Sequence, residues 1–151
     1  MELSYRLATP GDLPEIIRLL SDDVLGAQRE SKSAATMQRY EEAFRIINAD
    51  LNQELTVAEW NGKIVGTFQL TYIQYLTYEG GRRAQVEAVR VNPEYRGRGI
   101  GTRFFEYAIN RAREKGCHLL QLTTDKRRPE AIRFYRQLGF VATHEGMKLH
   151  L

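Results

Sequence analysis

The chain has 151 residues, 42% of them hydrophobic and 27% charged, and its 22 basic and 19 acidic side chains leave a formal net charge of +3. That length suits one domain with a substantial core, no apolar run approaches the roughly 20 residues of a membrane helix, and the charge balance is too mild to argue for nucleic acid. The opening MELSYRLATPGD lacks the basic-then-apolar order of a secretory leader, and the single Cys117 can neither close an intramolecular disulfide nor build a cysteine-rich metal centre, so the expected compartment is the cytoplasm.

A short strand is expected around Tyr5–Ala8, followed by a turn at Pro10-Gly11. Asp12 then caps a helix whose apolar face holds Leu13, Ile16, Ile17 and Leu20. The segment SDDVLGAQRESKS is polar and reads as a mobile link. Met37, Tyr40, Phe44 and Ile47 recur at helical spacing and predict a second helix over Ala35–Asp50. In ELTVAEWNGKIVGTFQLTYIQYL two strand-like runs meet at Asn61-Gly62, a strong hairpin signal, with Trp60 as hairpin packing. A turn around YEGGRR leads into the strand RAQVEAVRV. A helix from about Gly99 to Lys115 ends at Gly116, as glycine-terminated helices do. CHLLQLTT reads as a buried strand, and RPEAIRFYRQLGF as a helix with Pro129 in its first turn and Gly139 at its end. The tail FVATHEGMKLHL fits a closing strand or hairpin. The order is β-α-α-β-β-β-α-β-α-β, in which a strand–helix–strand crossover adds a parallel pair to an antiparallel start. One α/β domain over residues 1–151 is expected.

Between the strand VEAVRV and the long helix stands RGRGIG, Arg96 to Gly101. A helix start leaves backbone N–H groups unpaired and gathers partial positive charge, which suits phosphate. Glycines let the backbone come close, and Arg96 and Arg98 can add charge-assisted bonds. The loop therefore reads as a diphosphate cradle. The phosphate loop of nucleotide hydrolases needs a lysine that is absent here. The dinucleotide fingerprint fails because Thr102 stands where its last glycine belongs.

Arg96-Gly97-Arg98-Gly99-Ile100-Gly101 matches Q/R-x-x-G-x-G/A and resembles the coenzyme A pyrophosphate motif of the GNAT superfamily of N-acetyltransferases. PEAIRFYRQLGF resembles that superfamily's second signature at Ala131, Phe134, Tyr135, Gly139 and Phe140, and YRLATPGDLPEIIRLL is similar to its first strand and helix. The resemblance covers nearly the whole chain in the right order. It implies an α/β (α+β) fold whose mixed central sheet has about six or seven strands flanked by about four helices. A bulged fourth strand would splay from the fifth to admit the pantetheine arm of acetyl-coenzyme A, the cosubstrate.

Carried onto this chain, the resemblance lays that arm along Val89, Arg90 and Val91, and the diphosphate on Arg96, Gly97, Arg98, Gly99, Ile100, Gly101 and Thr102. Arg128 stands where many members carry an asparagine; it would bind coenzyme phosphate or an anionic group of the substrate, or face water. Tyr135 would be the acid for the departing thiolate, with packing as the alternative, and Phe134 would be core. A phenol with an unperturbed pKa near 10 is protonated at neutral pH and can donate. Glu87 would be the base, often acting through a water in this superfamily, against the alternative of a salt bridge with Arg90 or Arg83. It shares a face with Val89 and Val91 if no bulge intervenes. A backbone N–H near Val89 would serve the oxyanion.

The function so implied is transfer of an acetyl group to a primary amine of a small molecule. The alternatives are a protein N-terminal or lysine acetyltransferase and a non-catalytic coenzyme A sensor. The run LTT…KR…A-x-R-F-Y resembles acetyltransferases of aminoalkylphosphonates. Tyr72, Tyr75 and Tyr78 are candidates to line an amine pocket, with packing as the alternative. His118, His144 and His150 are too scattered for a metal site, and Cys117 reads as inert. The alternation in GMKLHL permits a homodimer through the terminal strands.

Overall fold

Side-chain alternation along the strands decides how the sheet is covered. In the computed structural model, which describes residues 2–31 and 33–151, β1 (Ser4–Leu7), β2 (Gln53–Trp60), β3 (Lys63–Gln74), β4 (Arg82–Val91) and β5 (Leu119–Gln121) lie side by side in that order. The first four pair antiparallel and β5 joins β4 in parallel. The mixed sheet and the α/β class are those expected. The strand count is lower, five among the described residues against about six or seven.

Met1 of the expected domain and Lys32 of the expected link lie outside the described residues. The rest of that link is not featureless. Helix α1 (Leu13–Leu20) is followed by α2 (Val24–Arg29), whose start is capped by the Asp23 carboxylate accepting from the Gly26 N–H at 2.5 Å. Next come α3 (Ala34–Ala49), the single turn α4 (Thr77–Gly80), α5 (Ile100–Glu114) and α6 (Pro129–Gln137). The additions to about four expected helices are the short α2 and α4, too brief to show a periodic face. No helix among the described residues is long and apolar enough to cross a membrane.

The chain divides into two units, Met1–Gln121 and Leu122–Leu151. In the first, Val57 points to one side of the sheet and packs with Ala8, Leu13, Ile16, Ile17 and Phe44, so α1 and α3 cover that face. Phe68 pairs with Thr56, next to Val57, and therefore points the other way, where its ring meets Phe104 of α5 at 5.5 Å. The apolar stripe of α5 is Ile100, Phe104, Phe105, Ala108 and Ala112, all buried. Gly66 permits this contact, because a Cβ there would sit 2.4 Å from the Phe104 ring. Burying Phe104 contributes about 2–3 kcal/mol.

In the second unit α6 is followed by residues without regular structure. The expected closing strand does not form: residues 141–151 carry no ladder, and Val141, Met147, Leu149 and Leu151 are exposed. A strand needs a paired edge, and this unit offers no other strand among its described residues.

Candidate active site

Two departures from regular pairing meet on β4. β5 pairs with Arg83, Ala84 and Gln85 and then ends, while β4 continues to Val91. From Val86 onward that edge of β4 is paired with no strand among the described residues, as a splay between the fourth and fifth strands requires. On its other edge β4 pairs Gln69 with Glu87 and Thr67 with Arg90, so Phe68 faces both Ala88 and Val89. This is a bulge, and Ala88 makes it by taking φ 54, a left-handed conformation.

The bulge corrects the expectation that Glu87, Val89 and Val91 share a face. Glu87 and Arg90 fall on the side that α1 and α3 cover, with Arg83 and Gln85, whereas Val91 pairs with Gly66 and turns toward α5. An extra residue between them inverts the alternation. Val89 carries an accepted bond on its carbonyl, from Nη1 of Arg90 at 2.9 Å.

The strand then stops at Asn92, buried, whose side chain accepts from the Glu94 N–H at 3.0 Å to start the 3₁₀ turn Pro93–Tyr95. The loop after it reaches α5 through Gly97 and Gly99, with φ values of 75 and 74. Gly99 is the N-cap of α5 and provides no side-chain bond to it. Among the described residues no acceptor is recorded for the N–H groups of Gly97, Gly99, Ile100 and Gly101. A Cβ at Gly97 or Gly99 would meet nothing within 4 Å, so open space stands over these donors. The residues present fit a diphosphate. Thr102 is exposed on the first turn. Arg96 reaches Asp22 at 3.2 Å, and Arg98 lies 5.9 Å over Trp60 and 5.6 Å over Tyr95. Trp60 thus supports the loop through its edge contact with Tyr95 as well as ending the hairpin strand.

Glu87 is exposed and, among the described residues, has no ion-pair partner, so neither Arg83 nor Arg90 neutralises it. Its carboxylate accepts from Nε2 of Gln85 at 2.5 Å; Gln85 in turn accepts from Gln121 at 2.9 Å. Gln121 Oε1 lies 3.4 Å from Nη1 of Arg83. An amide relay across β4 and β5 therefore links Glu87 to Arg83. Of the three tyrosines, Tyr75 and Tyr78 flank Arg83, but Tyr72 is on the opposite face, buried, with its hydroxyl donating to Glu54. Burial and that carboxylate push its phenol well above the ordinary range.

Arg128 and Tyr135 belong to the second unit. Arg128 is the N-cap residue of α6, and its N–H bonds the Asp125 carbonyl at 2.9 Å. The Tyr135 ring meets Phe140 edge-on at 6.0 Å and Phe134 at 5.6 Å. Cys117 is partly buried, and burial raises its thiol. No group of three His, Cys, Asp or Glu capable of holding a metal occurs among the described residues.

Comparison with known proteins gives the same picture. The sequence model of the Acetyltransferase (GNAT) family matches residues 16–140. The aminoalkylphosphonate N-acetyltransferase of Salmonella typhimurium is 28% identical over 113 residues, covering 75% of this chain and 73% of that protein. A solved structure described as a transcriptional regulator from Bacillus halodurans C-125 is 50% identical with a TM-score of 0.94, covering 99% of this chain and 100% of its own. A putative acetyltransferase from Agrobacterium tumefaciens str. C58 is 32% identical with a TM-score of 0.84, covering 98% and 99%.

Proposed function

The chain belongs to the GNAT acetyltransferase family, and from that membership we propose that it moves the acetyl group of acetyl-coenzyme A to a primary amine of a small molecule. The observation that carries this reading is the open edge of β4 beside an unneutralised Glu87 and a glycine-cradled helix start. When bound, acetyl-coenzyme A supplies the activated acyl group.

The chain does the rest. Donors from Gly97 to Gly101, with Arg96, Arg98 and Thr102, hold the diphosphate, and the main chain of Val89 to Val91 holds the pantetheine arm. A β4 N–H near Val89 donates to the oxygen that gains negative charge. Glu87 takes the proton that the ammonium must lose before it can attack. The acid role of Tyr135 and the anion-binding role of Arg128 rest on the resemblance of their segment. The single domain over residues 1–151, a cytoplasmic location and a homodimer through the exposed tail belong to the same proposal.

The test is released thiol across amino acids, aminoalkylphosphonates, polyamines and short peptides. Glu87→Gln is expected to lower kcat/KM by roughly 100-fold or more at neutral pH, as loss of a general base does. Tyr135→Phe is expected to lower kcat without weakening acetyl-coenzyme A binding. Turnover confined to peptides would move the acceptor to protein. The relative described as a transcriptional regulator favours a second reading, a non-catalytic sensor; tight coenzyme binding with no turnover on any amine would establish it.

A further inference from the structure

Arg83 is a charged group the proposed mechanism leaves unused. It stands on β4 in the alternation of Gln85 and Glu87, on the same side of the sheet. Its guanidinium carbon lies 4.3 Å over the Tyr75 ring and 5.0 Å over Tyr78. Tyr78 keeps that place at φ 55, a conformation costly for a residue with a side chain, and its ring also stacks on His118 at 5.3 Å. The two rings fix the position of the cation and leave its charge in place.

No carboxylate does what the rings do not. Arg6, Arg18 and Arg111 each hold an acidic partner, but Arg83 forms no ion pair among the described residues. Its hydrogen-bond partner is Gln121 at 3.4 Å, and its Nε is buried without any. The buried Nε adds a desolvation cost, and Nη2 makes no hydrogen bond among the described residues, so the guanidinium edge still has a donor to offer an acceptor. Its planar fork matches the paired oxygens of a carboxylate or phosphonate.

We propose that Arg83 binds an oxyanion on the acceptor, so that the substrate is an amine carrying a carboxylate or phosphonate at the far end of a short carbon chain. This rests on the acetyltransferase reading, with Glu87 at the amine. Glu87 is four steps along the strand from Arg83, roughly 13 Å between their backbones. Gln85 and Gln121 line the interval. An α-amino acid, whose two charged groups share one carbon, is too short to reach both ends. An ω-amino acid or ω-aminoalkylphosphonate spans the distance as the side chains lean toward it.

The experiment compares ω-aminopentanoate, ω-aminobutylphosphonate, norvaline and pentylamine as acceptors with the native chain, Arg83→Gln and Arg83→Lys. Calorimetry of the same four compounds in the absence of acetyl-coenzyme A runs beside it. The two ω-anionic amines are expected to show KM values roughly 10- to 100-fold below pentylamine and norvaline, the range of a charge-assisted pair. Arg83→Gln should bring their KM values to the pentylamine level with the KM for acetyl-coenzyme A unmoved. Arg83→Lys should restore part of the difference, because it returns the charge without the fork. Whichever anion binds more tightly identifies the group. No preference for the ω-anionic amines, or an equal loss for pentylamine in Arg83→Gln, overturns the assignment even if turnover is brisk. Arg83-dependent calorimetric binding without turnover would instead sink the enzyme reading and leave the oxyanion site standing.

Discussion

Glycine at position 99 is demanded by its backbone before any ligand is considered. At φ 74 a side chain is strained, yet a Cβ would find nothing within 4 Å. Gly99→Ala is therefore expected to cost about 1 kcal/mol, a few degrees in Tm, and to fold normally. Gly99→Val adds branched bulk over the N–H groups at the start of α5 and is expected to abolish acetyl-coenzyme A binding. Calorimetry with the native chain as reference decides the matter, and unchanged affinity would remove the cradle. This loop was legible in the sequence because two of its glycines, Gly97 and Gly99, take left-handed backbone conformations. Glu87 was legible as a residue, but its face was not. The bulge at Ala88 arises from how β4 pairs with β3, and nothing in V-E-A-V-R announces it. Arg83, Gln85 and Gln121 were missed as site residues because their relay forms between β4 and β5, far apart along the chain. The alternation R-x-Q-x-E from Arg83 to Glu87 was the available hint.

Three elements are tied by one polar contact on the α5 side of the sheet. Arg111 of α5 meets Glu54 of β2 through Nε and Nη2 at 2.9 and 2.6 Å, and Tyr72 of β3 donates to the same carboxylate. Burial alone would raise the Glu54 carboxyl, but the bonds from Arg111 and Tyr72 outweigh it and hold it below its ordinary value. Removing the cation strands a buried carboxylate, so Arg111→Ala is expected to cost about 3 kcal/mol in urea unfolding. Arg45→Ala breaks a pair on the exposed surface of α3 and should leave the midpoint where it was. Elements with long periodic faces were legible: α1, α3 and α5 follow the spacing of their apolar residues. β5 was expected to be longer because CHLLQLTT is apolar, whereas its ladder with β4 is three residues long and ends at Gln121. The tail alternates like a strand but has no edge to pair with in its own unit. Composition records what a segment prefers; the partner decides what forms.

The stability of the first unit as a whole should fall in acid, and Asp12 and Glu54 are the carboxylates responsible. Arg6 joins β1 to the turn before α1 and to β2, bonding Asp12 at 2.6 Å and Glu59 at 2.6 Å. The Asp12 carboxylate also accepts from the N–H and hydroxyl of Thr9 at 2.7 and 3.0 Å. The Arg6 bond is the largest influence, and with the Thr9 bonds it overcomes burial and lowers the Asp12 pKa from 3.8 to about 2. A carboxyl depressed in the folded state stabilises fully above its unfolded pKa, and that stabilisation is lost as pH falls through the folded value. The window for Asp12 therefore runs from about pH 4 down to about pH 2, and Glu54, held low as well, adds in the same direction. Asp12→Asn cannot carry the charge. It is expected to cost about 2 kcal/mol at neutral pH, the linkage equivalent of that shift. It should also flatten the acid limb of a plot of unfolding free energy against pH. Urea titrations at several pH values from 7 to below 3 would measure both effects. A variant that loses stability at neutral pH yet keeps the full acid slope would assign that slope to other carboxylates, with Glu54→Gln the next to test.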